Sequence, residues 1–348
     1  ELTQLDKDCI KIRCYIHALI RNISKDQVVE HAKRFPTFFV KATEEKITLE
    51  DEMQAHLDTL PPLTMDQYVS KFKPLSLSHI QQSGPNVFVS VSHAVSDGGL
   101  VKQFVNTIGQ DVQFTDLTPQ SVLSVFQKEI DEMEYGSFKQ NMIDIRSDEK
   151  SPIQSSPFSV TLSNTSYLNE RMNLFMSIIS QKLNAKKSSL IGVGNMADMR
   201  QFSPADGLYL NFISGFNLFC EAEDADQVKV IIEKLREQFR QFKINNFLNF
   251  WKAIKTQKWE FFNENNQARI ELSNAGRMLR DVELRLTADE AFNTLSVMFY
   301  TVENELRGVV QSRAGFGDIG RQIAADLSKL LLVDEQTMSL GELRKVIE

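Results

Sequence analysis

The sequence predicts an α/β protein of two lobes, each a mixed sheet flanked by helices, and three observations carry that prediction. The chain has 348 residues, more than one typical core accommodates, which points to about two domains of roughly 150 residues each. Stretches of period-2 alternation interleave with stretches of helical spacing along the chain. Over residues 134–165 both periods fade while Ser, Asp and Pro accumulate, as in a linker. The first lobe is therefore expected over residues 1–160 and the second over 161–348.

Ile10–Ile20 alternates well enough for a first strand, and Ser24 with Gln27 makes a capping box for a helix running to Phe35. Pro36 ends that helix and opens a second strand, Thr37–Lys41. Residues 57–64, with Pro61 and Pro62, read as a loop before a short helix over Met65–Phe72. Leu75–Ile80 is expected to pair with Val87–Ser92 across a turn at 81–86. Leu100, Phe104, Val105 and Ile108 recur at helical spacing, so a helix starts at the glycine pair Gly98-Gly99. A second helix, capped by Thr118, is expected over Pro119–Met133.

The second lobe opens with a helix over Ser166–Leu183 and a buried strand over Ser189–Met196. An amphipathic helix follows over Asp224–Lys243, with Val228, Ile231, Ile232, Leu235, Phe239 and Phe242 on one stripe. Leu295–Tyr300 and Leu306–Ser312 read as a hairpin, and Gly317–Leu331 and Leu340–Ile347 as closing helices. The aromatic run Phe247, Phe250, Trp251, Trp259, Phe261 and Phe262 fits either core packing or the wall of an acyl or acceptor pocket.

Composition narrows the function class. A hydrophobic fraction of 42% with 24 Phe marks a chain with a large core rather than a disordered one. A net charge of −7 argues against nucleic acid as the main partner, while leaving room for a local basic patch. Cys9, Cys14 and Cys220 follow no metal spacing, nor do His17, His31, His56 and His79, so no metal site is expected. The cysteine usage favours a reducing, cytosolic location, with association at a membrane or lipid-droplet surface left open. No run approaches the roughly 18 apolar residues of a membrane-spanning helix, and no charged-then-apolar leader is evident.

The most informative stretch is Val87–Gly99. Val87, Val89 and Val91 alternate with Phe88, Ser90 and Ser92, and His93 continues the valine parity inward. Histidine can accept a proton near neutral pH, and a strand running into a tight turn would hold it in place. Asp97 follows at four residues, and Gly98 and Gly99 let backbone turn sharply or approach a ligand. A satisfied core histidine beside an ordinary Asp-Gly turn explains the same residues without chemistry.

The His93-x-x-x-Asp97-Gly98 pattern resembles the signature of the CoA-dependent acyltransferase superfamily, which includes chloramphenicol and alcohol acetyltransferases, plant acyltransferases and the condensation domains of peptide synthetases. His31–Phe39 resembles that family's re-entry into its second strand. The resemblance implies chloramphenicol-acetyltransferase-like lobes meeting along a channel, with His93, Asp97 and Gly98 at the catalytic turn. It also implies a strand-end arginine, Arg200, followed by a Gly-x-x-x-Asn segment, here Gly207–Asn211, with Arg200 paired to Asp97. A buried carboxylate needs such a bidentate cation on physical grounds as well. Ser273-Asn274-Ala275-Gly276 resembles the Ser-Asn-x-Gly segment of alcohol acetyltransferases and reads either as oxyanion donors or as a plain strand-to-turn exit.

Three departures stand beside this: Ser92 occupies the place of a second histidine, the plant enzymes' Asp-Phe-Gly-Trp-Gly motif is absent, and the chain is shorter than many relatives. The function implied is transfer of an acyl group, acetyl in the first instance, from acyl-CoA as cosubstrate to an alcohol or amine, with no tightly bound cofactor. Two alternatives remain: condensation-type transfer from a carrier protein, and a catalytically silent scaffold or binding subunit within an assembly.

Overall fold

The computed structural model describes residues 2–43, 46–114, 116–135, 142–143, 151–204, 207–256, 268–290, 294–334 and 337–348. It forms two compact units, one of Glu1–Lys128, Asp198–Ile213 and Ala275–Asp289, the other of Glu129–Ala197, Ser214–Asn274 and Glu290–Glu348. Each unit draws on three stretches of chain, so the division is not a single cut near residue 160.

The first unit is built on a five-stranded sheet in the order Val282–Thr287, Tyr15–Ile20, Asn86–Ser92, Ser78–Ser83, His56–Leu60. Neighbours are antiparallel except the last pair, which is parallel. Asn86–Ser92 therefore lies in the middle, and both its faces are buried. Phe88 stacks on Tyr68, with 3.9 Å between ring centroids, in a cluster with Leu19 and Met65. On the same face Ser90 Oγ meets His17 Nδ1 at 2.7 Å and the Tyr68 hydroxyl at 2.8 Å. The alternation Val-Phe-Val-Ser-Val-Ser thus separates two buried faces, the serines being admitted because they are hydrogen-bonded.

Several local expectations hold. Ser24 and Gln27 form the capping box of helix Lys25–Ala32, and helices Met65–Lys71 and Gly98–Asn106 lie where spacing put them. Others change. Ile10–Ile20 divides into helix Gln4–Lys11, capped by Thr3 and Asp6, and a strand that begins only at Tyr15. A 3-10 turn over Pro36–Phe39 leaves the second strand as Val40–Ala42. His56–Leu60, expected in a loop, is a strand held by parallel pairing to Ser78–Ser83, a long-range contact with no local signal. The expected helix over Pro119–Met133 is a strand, Asp116–Gln120, then short helices Val122–Val125 and Gln127–Glu132, with Ser121 rather than Thr118 as the cap.

The second unit carries a larger mixed sheet in the order Ile213–Glu221, Leu190–Asp198, Ala268–Met278, Thr294–Val302, Glu305–Arg313, Ile153–Thr161, with Met142–Ile143 paired to Ala268–Met278. Ile153–Thr161 falls in the expected linker; the rest of 134–165 lies partly outside the described residues. This edge strand buries only Ser156, Phe158 and Val160, too weak a hydrophobic pattern to stand out. Helix Leu168–Leu183 is buried continuously from Arg171 to Gln181, and the 295–312 hairpin and the helices Val228–Arg240, Ile319–Leu332 and Leu340–Lys345 match their patterns. Phe247, Phe250 and Trp251 are buried on helix Ile244–Lys255, which favours packing; Trp259, Phe261 and Phe262 lie outside the described residues. Among the described residues no helix is long and apolar enough to cross a membrane, and no group of His, Cys, Asp and Glu could hold a metal ion.

His17, completely buried between Ser90 Oγ and Thr287 Oγ1, gives a test of this core. Burial pushes its imidazole down to about 3 from an ordinary 6.5, helped by nearby His79. The unfolded chain takes up a proton below 6.5 that folded His17 refuses until about 3, so His17 makes stability fall as pH drops through that window. Chemical denaturation between pH 7 and 4 should show this slope, and His17→Gln should flatten it; an unchanged slope would show His17 titrating alike in both states.

Candidate active site

The strand ends at Ser92, but its pairing continues one step, since the His93 N–H donates to the Cys14 carbonyl at 2.8 Å. This bond fixes the histidine backbone at the exact end of the central strand. The His93 side chain is half-buried. Its Nδ1 is buried without a well-aligned hydrogen bond, which leaves Nε2 as the nitrogen open to an incoming group. Burial lowers the imidazole pKa, with the residue's own carbonyl and the field of Asp97 pulling the other way. The ring is consequently neutral at pH 7, the form that accepts a proton.

Asp97 is completely buried and caps helix Gly98–Asn106, its Oδ1 accepting from the Leu100 N–H at 2.9 Å. Arg200 grips both oxygens, Nη1 to Oδ1 at 2.8 Å and Nη2 to Oδ2 at 3.0 Å. The Phe212 N–H adds a bond of 2.5 Å to Oδ2. Four donors thus satisfy the carboxylate, and His93 is not among them as a relay partner would be. Bidentate pairing compensates the desolvation of both charges.

Arg200 is held as firmly. Its Nη2 also donates to the carbonyls of Tyr209 and Leu210 at 2.7 and 3.0 Å, and its Nη1 to Asp198 Oδ1 at 2.9 Å. Burial alone would lower the guanidinium pKa, but Asp97 and Asp198 outweigh it and raise it. Gly207–Asn211 therefore serves Arg200 through main-chain carbonyls. Asn211 itself turns away, donating to Asp6 Oδ1 at 3.1 Å, and burial raises the Asp6 carboxyl to about 6 against its hydrogen bonds from Thr3 and Asn211.

Sequence reasoning gave the sharp turn and close approach to both Gly98 and Gly99, with Gly98 in the motif, whereas the close approach is at Gly99 alone. A Cβ on Gly99 would stand 2.2 Å from Asp198 Oδ2 and 2.8 Å from Arg200 Nη1, while one on Gly98 would meet nothing within 4 Å. Asp198, the second carboxylate on Arg200, was also missed; its only sequence signal is its place two residues before the arginine. Ser273 and Asn274 belong to the second unit, on a strand that runs on to Met278 rather than exiting into a turn at the motif. Ser273 is half-buried opposite Met196, and Asn274 is exposed. Gly276 belongs to the first unit, at φ +77, with the Lys102 ammonium 2.9 Å from where its Cβ would be. His93, Asp97, Gly98 and Arg200 thus come together in one unit.

Asp97→Ala leaves a buried guanidinium and an uncapped helix, and should cost about 3–5 kcal/mol in denaturant melts; Asp97→Asn, which keeps an acceptor, should cost less. In the same melts Gly99→Ala should cost about 1–3 kcal/mol by overpacking and Gly98→Ala under about 1 kcal/mol, since its methyl enters open space. Equal costs for the two glycines would contradict this packing.

No family model matches the chain, and no curated protein matches it. Solved structures do. The epimerization domain from the third module of tyrocidine synthetase B is similar with a TM-score of 0.64 at 12% identity, over 100% of this chain and 96% of that one. Polyketide synthase associated protein 5 from Mycobacterium tuberculosis gives 0.63 at 11%, over 96% and 97%. A variant of the starter condensation domain of rhizomide synthetase, in complex with C8-CoA, gives 0.61 at 10%, over 98% and 96%. At such identities the likeness establishes the fold, and this chain has the two-lobed α/β fold of condensation domains, the chloramphenicol-acetyltransferase-like fold that its His93–Gly98 turn resembles.

Proposed function

We propose that the chain is an acyltransferase that moves an acyl group from a thioester to a hydroxyl or amine, with His93 as general base. The observation that carries this reading is a neutral imidazole on a rigid turn, its Nε2 unoccupied, with Asp97 committed elsewhere. The other buried histidines are each hydrogen-bonded through the ring, His17 at both nitrogens and His31 and His79 at Nε2.

In this mechanism Nε2 takes the proton of the acceptor O–H or N–H as that oxygen or nitrogen bonds to the thioester carbon. Collapse of the tetrahedral oxyanion breaks the C–S bond, and the sulfur leaves as a thiol carrying the proton back from His93. Free N–H groups at the start of helix Gly98–Asn106 favour the transient negative charge. No acyl-enzyme is required, because two bound substrates react by proximity. Asp97 and Arg200 act as positioning residues for the turn.

The donor we favour is free acyl-CoA, with a cytosolic setting that suits three free cysteines. Thioester transfer from a carrier protein is the second reading, favoured by the likeness to domains of peptide synthetases. A silent scaffold is disfavoured by the retention of His93, Asp97 and Gly98 together. Turnover with acyl-CoA and a panel of alcohols and amines, compared with a loaded carrier protein, separates the donors; turnover with neither selects the scaffold.

His93→Ala should lower kcat roughly 10²–10⁴-fold with donor binding retained; full activity in that variant would end the proposal. Since the base works unprotonated and burial depresses its pKa, activity should rise with pH through a midpoint below the ordinary 6.5. A rise centred above 6.5 would assign the titration to another group.

A further inference from the structure

Helix Gly98–Asn106 presents Gly98, Lys102 and Asn106 on one stripe, four residues apart. At Asn106 the stripe is sealed: its side chain donates to the Arg277 carbonyl at 3.0 Å and accepts from the Leu279 N–H at 2.8 Å. One turn earlier Lys102 lies against Gly276, whose φ of +77 disfavours a side chain and leaves the lysine stem room beside it. At Gly98 the cover stops, and the space a side chain would take is empty to 4 Å. Lys102 is thus the last group before an opening that starts one residue after Asp97. It is half-buried and makes no ion pair among the described residues, whereas Arg200, which pairs with Asp97 from a distant stretch of chain, is neutralised twice.

A half-buried cation without an anion, beside an opening at the turn that carries His93, marks a place where a ligand supplies the charge. We propose that Lys102 binds a carboxylate of the acceptor, so that the acceptor is a small hydroxy or amino acid rather than a neutral alcohol. This rests on the acyltransferase reading and names its substrate class. Lys102 follows the Gly98 opening by one helical turn, about 6 Å along the axis, so an acceptor of a few carbons seated at that opening is the size whose carboxylate the lysine stem can reach. Gly276 acts as a specificity element by giving the lysine stem a place to lie.

The test uses the intact chain and matched pairs of hydroxy acids of about three to six carbons and their amides. Binding is read by calorimetry and transfer by release of CoA thiol. Wild type should bind the better acids about tenfold or more tightly than their amides, with the preference weakening in salt. Lys102→Met, which keeps the stem, should bring the ratio near one, as should Lys102→Gln if the first variant melts early; Lys102→Arg should keep the preference. No acid bound better than its amide, or a preference that survives Lys102→Met, overturns the proposal. The outcome for His93 is separate: acids that bind through Lys102 but are acylated as fast by His93→Ala would sink the base and leave the carboxylate site standing.

Discussion

The buried carboxylate of Asp97 is the constraint on which the His93–Gly98 turn depends. A fully buried anion is tolerated only where donors replace every bond to water that it loses. Here they come from three places in the sequence: the start of helix Gly98–Asn106, the guanidinium of Arg200 and the backbone of Phe212. Satisfying one side chain ties residues 97–100 to 200 and 212, so the turn cannot shift without stranding a charge. Asp198 and the carbonyls of Tyr209 and Leu210 complete the shell of Arg200, and Gly99 is small because that shell leaves no room.

This anchoring leaves His93 free of structural duty. Its main chain ends the central strand against Cys14, and its ring is desolvated enough to stay neutral. His17, His31 and His79 show the contrast. Each is buried and hydrogen-bonded to a serine, threonine or main-chain group, and each has its pKa lowered by burial as well. A lowered pKa alone therefore does not distinguish His93; the unmet ring does.

Much of this was legible locally. Helix starts were readable where a cap or a glycine pair sits beside a hydrophobic stripe, as at Ser24–Gln27 and Gly98-Gly99, because both signals arise within a few residues. Strands paired to sequence neighbours, such as 294–302 with 305–313, were readable for the same reason. His56–Leu60, Val282–Thr287 and Ile153–Thr161 escaped notice since remote partners hold them in place. Helix Gln4–Lys11 was missed because the alternation of Ile10–Ile20 masked a Thr3–Asp6 capping box at its start.

The sequence by itself determined the chemistry available at the turn: a histidine, a carboxylate at four residues and glycines, with an arginine far downstream suited to the carboxylate. Tertiary structure decided what that chemistry is attached to. It supplied the donors that hold Asp97, placed Arg200 on both its oxygens, put the steric demand on Gly99 rather than on both glycines, and set Lys102 over Gly276 with no anion beside it among the described residues. The reason is physical: residue types and spacing encode local conformation and reactivity, whereas desolvation and charge pairing depend on which distant groups the fold brings within hydrogen-bond reach.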